Sequence, residues 1–111
     1  LRGVVNTARE ANDTAKQIVA LFDADRARIP AMGRLSATAL ALHQHLCARP
    51  VTNVAQASAA TSVNRSSVMT AITRLQEMGV VREMTGNRRN RLFAYDAYLA
   101  LLSRDTEPLE N

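Results

Sequence analysis

The stretch NVAQASAATSVNRSSVMTAITRLQEMG, residues 53–79, decides the fold because it predicts two helices joined by a short turn. Residues 53–60 form a short helix of small side chains, and residues 61–63 form the turn. Residues 64–67 (NRSS) offer several N-cap side chains for a longer helix. Gly79 ends that helix, since glycine readily takes the left-handed conformation found after many helix C-termini. This order of elements is typical of a helix-turn-helix.

The longer helix of this pair has an apolar face and a polar face. Its apolar side chains recur at helical spacing, at Val68, Ile72, Leu75 and Met78, with Ala71 beside them. The opposite face is polar and consists of Ser66, Thr70, Thr73 and Glu77, flanked by Ser67 and Arg74. We therefore expect the apolar face to pack on the core and the polar face to be exposed.

A helix-turn-helix places its second helix in the DNA major groove, with the N-terminal residues toward the base edges. Hydroxyl and amide groups at a helix N-terminus also suit phosphate, because the unsatisfied N–H groups and the helix dipole favour an anion there. Only Asn64, Arg65 and Arg74 could bind a base edge in a bidentate way. Glu77, further along the same face, repels phosphate and argues against deep burial of the whole helix in a groove. The helix residues predicted to bind nucleic acid are Asn64, Arg65, Ser66, Ser67, Thr70, Thr73 and Arg74.

The residues after Gly79 predict a β-hairpin followed by a last helix. VVREM (residues 80–84) and RLFAY (residues 91–95) are β-prone, and TGNRRN (residues 85–90) contains a Gly-Asn turn. Asp96 is placed to cap the last helix, DAYLALLS. A helix, a helix-turn-helix and a hairpin in this order predict a winged helix.

Three arginines, Arg88, Arg89 and Arg91, lie at the tip of the predicted wing. Guanidinium groups match the geometry of phosphate, so the wing could follow a DNA backbone or enter a narrow minor groove. Two other interpretations stay open. The arginines could meet an acidic group of another protein or of the same chain, or they could form an ordinary solvated hairpin tip.

An N-terminal helix is predicted over about residues 2–29, closed by Pro30 and Gly33. A heptad-like seam of apolar and small side chains runs along it and is interrupted by Asp25. This seam either covers the core of its own domain or contacts another subunit or an upstream domain. The predicted interface residues on it are Val4, Ala8, Ala11, Ala15, Ile18 and Phe22.

A second helix is predicted from Ser36, as N-cap, to the residue before Pro50. His43 and Cys47 are four residues apart on it and could share a metal ion. The chain has two histidines and one cysteine, however, and structural zinc needs four ligands at recognisable spacing. We therefore expect these side chains to lie in the core or on the surface, with no metal and no cofactor. The apolar face of this helix consists of Leu35, Ala39, Leu42 and Leu46.

Composition and charge limit the class of protein. The chain has 111 residues, 4% aromatic residues and no tryptophan, which indicates one domain with a helical core of small and aliphatic side chains. Residues 49–91 hold seven arginines against two glutamates, whereas residues 92–111 hold one arginine against four acidic residues. A localised basic segment favours a polyanionic partner.

Cellular location is predicted from the absence of targeting signals in this sequence. No stretch approaches the roughly 20 apolar residues that span a bilayer, and the first residues do not resemble a signal peptide. The sequence therefore predicts a cytoplasmic protein without membrane contact, in which Cys47 is a buried thiol that stays reduced.

No catalytic motif is present in the sequence. The patterns GxSxG and HExxH and a Walker-type glycine loop are missing, and the one lysine, Lys16, lies in the first predicted helix. The two histidines have no paired nucleophile. We expect that this chain by itself is not an enzyme.

The run GVVREMTGNRRNRLFAYDAYLALL (residues 79–102), with LFDADRARI (residues 21–29) before it, resembles the C-terminal part of bacterial Fic family proteins, which transfer AMP. The resemblance covers nearly the whole chain and is most specific in TGNRRNRLFAYDAYL (residues 85–99). The family's catalytic domain carries an HPFxxGNGRxxR motif, whose histidine acts as base and whose glycine-rich loop and arginine hold ATP. That motif is absent here. Two residues also depart from the helix-turn-helix pattern: Ser62 stands where glycine is usual, and Ser58 stands near the usual small alanine.

The resemblance implies that this chain is a piece of a longer protein, following a catalytic domain that transfers AMP from ATP to protein hydroxyls. We expect a mainly α fold with a small β-hairpin, divided into a long connecting or dimerisation helix (1–33), a winged helix-turn-helix domain (34–104) and an acidic tail (105–111). The leading hypothesis is a non-catalytic module that binds duplex DNA weakly, mainly through phosphate, in transcription regulation. The alternative is a protein–protein interaction or homodimerisation module that positions or regulates the upstream Fic catalytic domain without binding DNA.

Overall fold

The computed structural model describes residues 2–84 and 91–106, with side-chain detail for residues 13–84 and 91–103. Within these ranges most residues are helical, and the predicted mainly α fold with a small hairpin is confirmed. A 3₁₀ segment at Ile29–Leu35 separates the first two helices. The elements are α1 (Arg2–Arg28), α2 (Ser36–Ala48), β1 (Val51–Thr52), α3 (Val54–Thr61), α4 (Arg65–Glu77), β2 (Arg82–Glu83), β3 (Phe93–Ala94) and α5 (Asp96–Thr106).

The core lies where α2 packs against α3 and α4. The predicted apolar face of α2 is largely correct, although Leu35 at its start is only half-buried. Removing a large aliphatic side chain from water contributes roughly 1.5–3 kcal/mol, so burial of this cluster stabilises the packing of the helices. The buried residues of the cluster are Ile29, Ala39, Leu42, Leu46, Ala57, Val68, Ala71, Ile72, Leu75, Val80, Val81, Phe93 and Tyr95.

The predicted hairpin is present, but it belongs to a three-stranded antiparallel sheet of order β1-β3-β2. In the central strand Ala94 lies opposite Val51 of β1 and opposite Arg82 of β2. Tyr95 N–H extends the pairing with a bond to the carbonyl oxygen of Pro50 at 2.7 Å. Strand β1 was not predicted, because two residues after a proline are too few to show an alternating pattern.

Helix α1 ends at Arg28, close to its predicted end and before Pro30. It packs along α5, and its C-terminal part joins the same core as the other helices. Asp25 does not interrupt the packed face as predicted, since only 7% of the residue is exposed. The face of α1 that packs against the rest of the fold therefore includes both Phe22 and Asp25.

The connection between α1 and α2 differs from the sequence prediction. Ser36 is not the N-cap of α2, because its own backbone is helical and Leu35 precedes it as the capping residue. The hydroxyl of Ser36 instead donates to the carbonyl oxygen of Pro30 at 3.3 Å. Gly33 has φ 67°, a left-handed conformation that breaks the helical path within the 3₁₀ segment. Sequence patterns did not predict this segment, since its seven residues include both Pro30 and Gly33.

The exposure of Cys47 and the lengths of the helices can be compared with the sequence predictions. Cys47 is half-buried rather than fully buried, so the prediction of a buried thiol was wrong in degree. No helix in residues 2–84 and 91–106 combines the length and the apolar character needed to span a membrane.

Candidate nucleic-acid interface

A three-residue turn joins α3 to α4. Asn53 caps α3, its Oδ1 accepting a hydrogen bond from the N–H of Gln56 at 2.8 Å. Ser62, at the position where glycine is usual, has φ 59° and so takes the left-handed conformation itself. Ser58 donates its hydroxyl to the carbonyl oxygen of Val63. Both serines that depart from the helix-turn-helix pattern thus take part in forming the turn.

Helix α4 has the two predicted faces. Asn64 is its N-cap, with Oδ1 accepting from the N–H of Ser67 at 2.8 Å. Gly79 has φ 82° and ends the helix as predicted. The inner face is buried and includes Val68, Ala71, Ile72 and Leu75. None of the predicted nucleic-acid-binding residues of the helix is fully buried: Ser67 is half-buried, and the exposed ones are Asn64, Arg65, Ser66, Thr70, Thr73 and Arg74.

Several polar groups on this outer face already have partners within α4. The hydroxyl of Thr70 donates to the carbonyl oxygen of Ser66 at 3.0 Å. The hydroxyl of Thr73 donates to the carbonyl oxygen of Met69 at 2.9 Å. The side-chain oxygen of Asn64 is occupied by the capping bond. The surface therefore offers fewer uncommitted hydroxyl donors than its residue types suggest.

The cationic groups of α4 are Arg65 near its start and Arg74 near its end. Neither forms an ion pair with another residue in the described part of the chain. Arg74 lines a hollow of about 460 Å³ together with Arg28, Glu77 and Met78. Nη2 of Arg28 donates to the carbonyl oxygen of Met78 at 2.8 Å, which satisfies a backbone acceptor just after α4. Glu77 lines the same hollow as Arg74 and opposes its charge, whereas Arg65 has no ion pair among the residues that the structure describes.

The arginines on the hairpin strands are engaged within the chain. Nη2 of Arg91 donates to Oε1 of Glu83 at 2.8 Å, and its guanidinium lies 5.5 Å from the centre of the Phe93 ring. The hydrogen bond that Arg91 donates to Glu83 raises the pKa of Arg91 above its usual value. Arg82 donates to Oδ1 of Asp96 at 3.1 Å. For Arg91 the structure therefore provides the acidic partner in the same chain that was one of the open interpretations.

The other two wing residues predicted to bind nucleic acid, Arg88 and Arg89, lie outside the described residues. Their part in binding stays a prediction. Among the described candidates, Arg65 and Arg74 are exposed on α4 without an ion pair, whereas Arg91 is paired with Glu83.

A buried polar cluster fixes α1 to the rest of the chain, and sequence patterns did not identify it. The hydroxyl of Tyr95 donates to Oδ2 of Asp25 at 2.6 Å. Because this bond uses the only hydroxyl proton of Tyr95, the nearby Nε2 of His43, 3.1 Å away, donates to the tyrosine oxygen. Arg28 lies 3.5 Å from the other carboxylate oxygen of Asp25. Burial raises the pKa of Tyr95, and the bond to Asp25 raises it further.

The predicted pair of potential metal ligands lies beside this cluster. Sγ of Cys47 is 3.8 Å from Nδ1 of His43, a distance that allows a weak S–H hydrogen bond. Burial raises the pKa of the Cys47 thiol and lowers the pKa of His43. His45 bonds instead to the hydroxyl of Thr52 at 2.7 Å. Within the described ranges, no three side chains of His, Cys, Asp or Glu are grouped so that they could hold a metal ion.

The predicted interface residues of α1 fall into two sets. Ala15 is exposed and Ile18 is half-buried. Phe22 packs inside its own chain, with its ring centre 4.8 Å from that of Tyr98 and 5.8 Å from that of Tyr95. The first three predicted residues lie outside the part of the chain with described side chains: Val4, Ala8 and Ala11.

Comparison of the chain with models of known protein families gives no match, and comparison with curated proteins gives none. Function must therefore be inferred from the geometry and chemistry of the chain itself.

Proposed function

We propose that this chain is a winged-helix module that binds duplex DNA weakly, mainly through phosphate. In this proposal α3 and α4 form the helix-turn-helix and the β2–β3 hairpin forms the wing. The observation that carries the proposal is the outer face of α4: a capped, exposed helix N-terminus with Arg65 beside it and no acidic partner for Arg65 among the described residues. The sheet next to this pair of helices, of order β1-β3-β2, supports the same proposal.

The electrostatics of α4 favour contact at its N-terminal end. Backbone N–H groups and the helix dipole attract an anion there, and Arg65 adds a full positive charge. Glu77 opposes phosphate at the other end, beside Arg74. A single helix of this kind with few free base-reading groups is expected to bind with low sequence discrimination, because phosphate contacts carry no base information.

The resemblance to Fic family proteins extends this proposal to a parent protein. Its two blocks meet in the structure, since Asp25 from residues 21–29 accepts the hydroxyl of Tyr95 from residues 85–99. We infer that α1 is a connecting helix whose direction this contact fixes relative to the winged helix. The module would then position an AMP-transferring catalytic domain or regulate transcription, in the cytoplasm, where Cys47 stays reduced.

Salt-dependent DNA binding tests the proposal. The chain would be titrated into a labelled duplex by fluorescence anisotropy at several salt concentrations, as wild type and as Arg65→Ala and Arg74→Ala. Loss of one phosphate contact is expected to reduce the slope of log affinity against log salt by about 0.9. Arg26→Ala is the matched control, because Arg26 is an exposed arginine on α1 that already pairs with Asp23.

The two outcomes are distinct. Weaker binding and a smaller slope for Arg65→Ala, with Arg26→Ala equal to wild type, support the proposal. Absence of binding at low salt, or equal loss in all three variants, contradicts it. An Arg88→Ala/Arg89→Ala variant in the same titration tests the predicted wing contact.

An exposed surface on α1 favours a second function, protein interaction or homodimerisation. Val19 is 57% exposed, and it lies in a shallow hollow that Ala15, Ala20 and Asp23 also line. This surface differs from the predicted seam, because Phe22 of that seam packs against Tyr95 and Tyr98 of its own chain. Sedimentation velocity of wild type and Val19→Asp tests it: self-association that the substitution abolishes supports a dimer, and a strict monomer at high concentration excludes one.

A further inference from the structure

The outer face of α4 presents methyl groups where its residue types suggest hydroxyls. Thr70 and Thr73 are both exposed, and each donates its hydroxyl to a carbonyl oxygen of its own helix, at 3.0 Å and 2.9 Å. A threonine carries its hydroxyl and its γ-methyl on the same Cβ atom. With the hydroxyl proton committed to the backbone, the γ-methyl is the other group at the end of each exposed side chain that can make an outside contact.

These bonds also restrict which DNA groups α4 can recognise. The hydroxyl protons of Thr70 and Thr73 are committed, so donation to a phosphate or a base acceptor would first break a helix bond. The side-chain oxygen of Asn64 accepts from the N–H of Ser67, so the cap already uses one of its two lone pairs. Apolar contact through the two threonine methyl groups needs none of these hydrogen bonds to break.

In the major groove, thymine is the base that presents a methyl group, and contact with a threonine methyl is an established way to read it. We propose that α4 distinguishes thymine from the other bases through van der Waals contact of the Thr70 and Thr73 γ-methyl groups with thymine C5-methyl groups. This inference rests on the proposed DNA binding and adds to it a preferred ligand, duplex DNA with neighbouring thymines.

The spacing of the two threonines fits this ligand. Side chains three residues apart on a helix have Cβ atoms about 5–6 Å apart. Successive nucleotides on one strand are about 3.4 Å apart along the duplex axis, so the two methyl groups span between one and two base steps. Arg65 and Arg74 lie on either side of the pair in sequence, about 14 Å apart along the helix at 1.5 Å per residue. They would contact the phosphates that flank the thymines.

Uracil-substituted DNA provides a direct test, because deoxyuridine differs from thymidine only by the missing C5-methyl group. The wild-type chain would be titrated by fluorescence anisotropy with a 20-base-pair duplex of adjacent thymines on one strand and adenines on the other, about two helical turns, and with the same duplex containing uracil in place of thymine. Burial of one methyl-sized group corresponds to about a fourfold change in affinity at 25 °C. We expect the thymine duplex to bind about 4–15-fold more tightly, the upper value applying when both methyl contacts form.

Two double variants separate the methyl groups from the hydroxyls. Thr70→Ser/Thr73→Ser keeps both hydroxyls and removes both methyls, and it is expected to bind the two duplexes with equal affinity. Thr70→Val/Thr73→Val keeps the methyls and removes the hydroxyls, and it is expected to retain a preference for thymine. Circular dichroism of each variant checks that α4 remains folded.

The outcomes distinguish this inference from the function on which it rests. Equal binding of both duplexes by the wild type contradicts thymine recognition and leaves DNA binding in place. Preference for thymine that persists in the double serine variant also contradicts it, because the methyl groups are then not its source. Absence of binding to either duplex at low salt overturns both the inference and the proposed function.

Discussion

The hydroxyl of Tyr95 donates a hydrogen bond to Oδ2 of Asp25 at 2.6 Å, joining two residues that are 70 positions apart in the sequence. Asp25 belongs to α1, Tyr95 directly precedes α5, and His43 of α2 donates to the same tyrosine oxygen. Three parts of the chain therefore meet through one buried hydroxyl group. A buried carboxylate is costly unless it is paired, so these bonds stabilise α1 in one orientation only.

Removal of this hydroxyl is expected to destabilise the fold. Tyr95→Phe leaves the buried carboxylate of Asp25 without its closest donor and leaves Nε2 of His43 without an acceptor. Because one partner is charged, we expect the free energy of unfolding to fall by about 1.5–3 kcal/mol in urea denaturation. Tyr98→Phe is the matched control: its ring packs on Phe22, and its hydroxyl has no hydrogen-bond partner among the described residues. That control should change stability by less than about 0.5 kcal/mol, and an equal loss in both variants contradicts the prediction.

Stability is also expected to fall as the pH is lowered from 7.5 to 5.5. Burial lowers the pKa of His43 below its value in the unfolded chain, and the charge of Arg26 lowers it further, while Asp25 partly opposes this. Below the unfolded-state pKa of about 6.5 the unfolded chain binds more protons than the folded one, so acid favours unfolding. The slope for one such proton is at most about 1.4 kcal/mol per pH unit.

Urea denaturation at several pH values measures this effect. His43→Gln keeps an amide donor for the oxygen of Tyr95 and removes the titrating group, so its unfolding free energy should depend less on pH. Burial and the charge of Arg49 also lower the pKa of His45, which is expected to leave a residual slope in that variant. An unchanged slope in His43→Gln would show that this histidine is not responsible.

Local patterns in the sequence were sufficient for α4 and the hairpin but not for the groups that join distant segments. The two faces of α4 follow from 13 residues at helical spacing, and Gly79 marks its end. The partner of Asp25 could not be predicted, because no local pattern relates residue 25 to residue 95. Strand β1 has only two residues, and it exists because β3 has a second edge on which to pair.

The exposed face of α4 was predicted from the sequence, but the orientation of its polar groups was not. Periodicity places Thr70 and Thr73 on the exposed face, as found. It does not determine the side-chain torsion angle, and that angle decides whether a threonine presents a hydroxyl or a methyl group. In the same way, the arginines of TGNRRNR (residues 85–91) predict a positive charge but do not identify the group that it contacts. Glu83 lies beside Arg91 because β2 pairs with β3.

The turn before α4 allows a prediction about backbone strain. Ser62 has φ 59°, a conformation that costs a non-glycine residue roughly 1–2 kcal/mol. Glycine would relieve this strain, but its greater conformational freedom in the unfolded chain offsets part of the gain in stability. We expect Ser62→Gly to raise the free energy of unfolding by up to about 1 kcal/mol. Gly79→Ala is the inverse test after α4, since a Cβ there meets no atom within 4 Å and only the φ of 82° opposes it. It should lower the free energy of unfolding by about 1–2 kcal/mol. Thermal denaturation measures both variants. A less stable Ser62→Gly or a more stable Gly79→Ala would contradict these predictions.

The pairing of Arg91 with Glu83 leads to a prediction about DNA binding. Glu83 neutralises Arg91 within the hairpin, so Arg91 contributes little to phosphate binding in the wild type. Glu83→Gln removes the negative charge and should release Arg91, making binding tighter at low salt and the log–log salt slope steeper by about 0.9. Asp23→Asn is the matched control, because it removes one negative charge from an exposed arginine pair on α1. If Glu83→Gln and Asp23→Asn strengthen binding equally, net charge rather than the release of Arg91 explains the gain. If Glu83→Gln binds like wild type while it remains folded, Arg91 does not reach DNA and the hairpin contacts it only through residues nearer its tip.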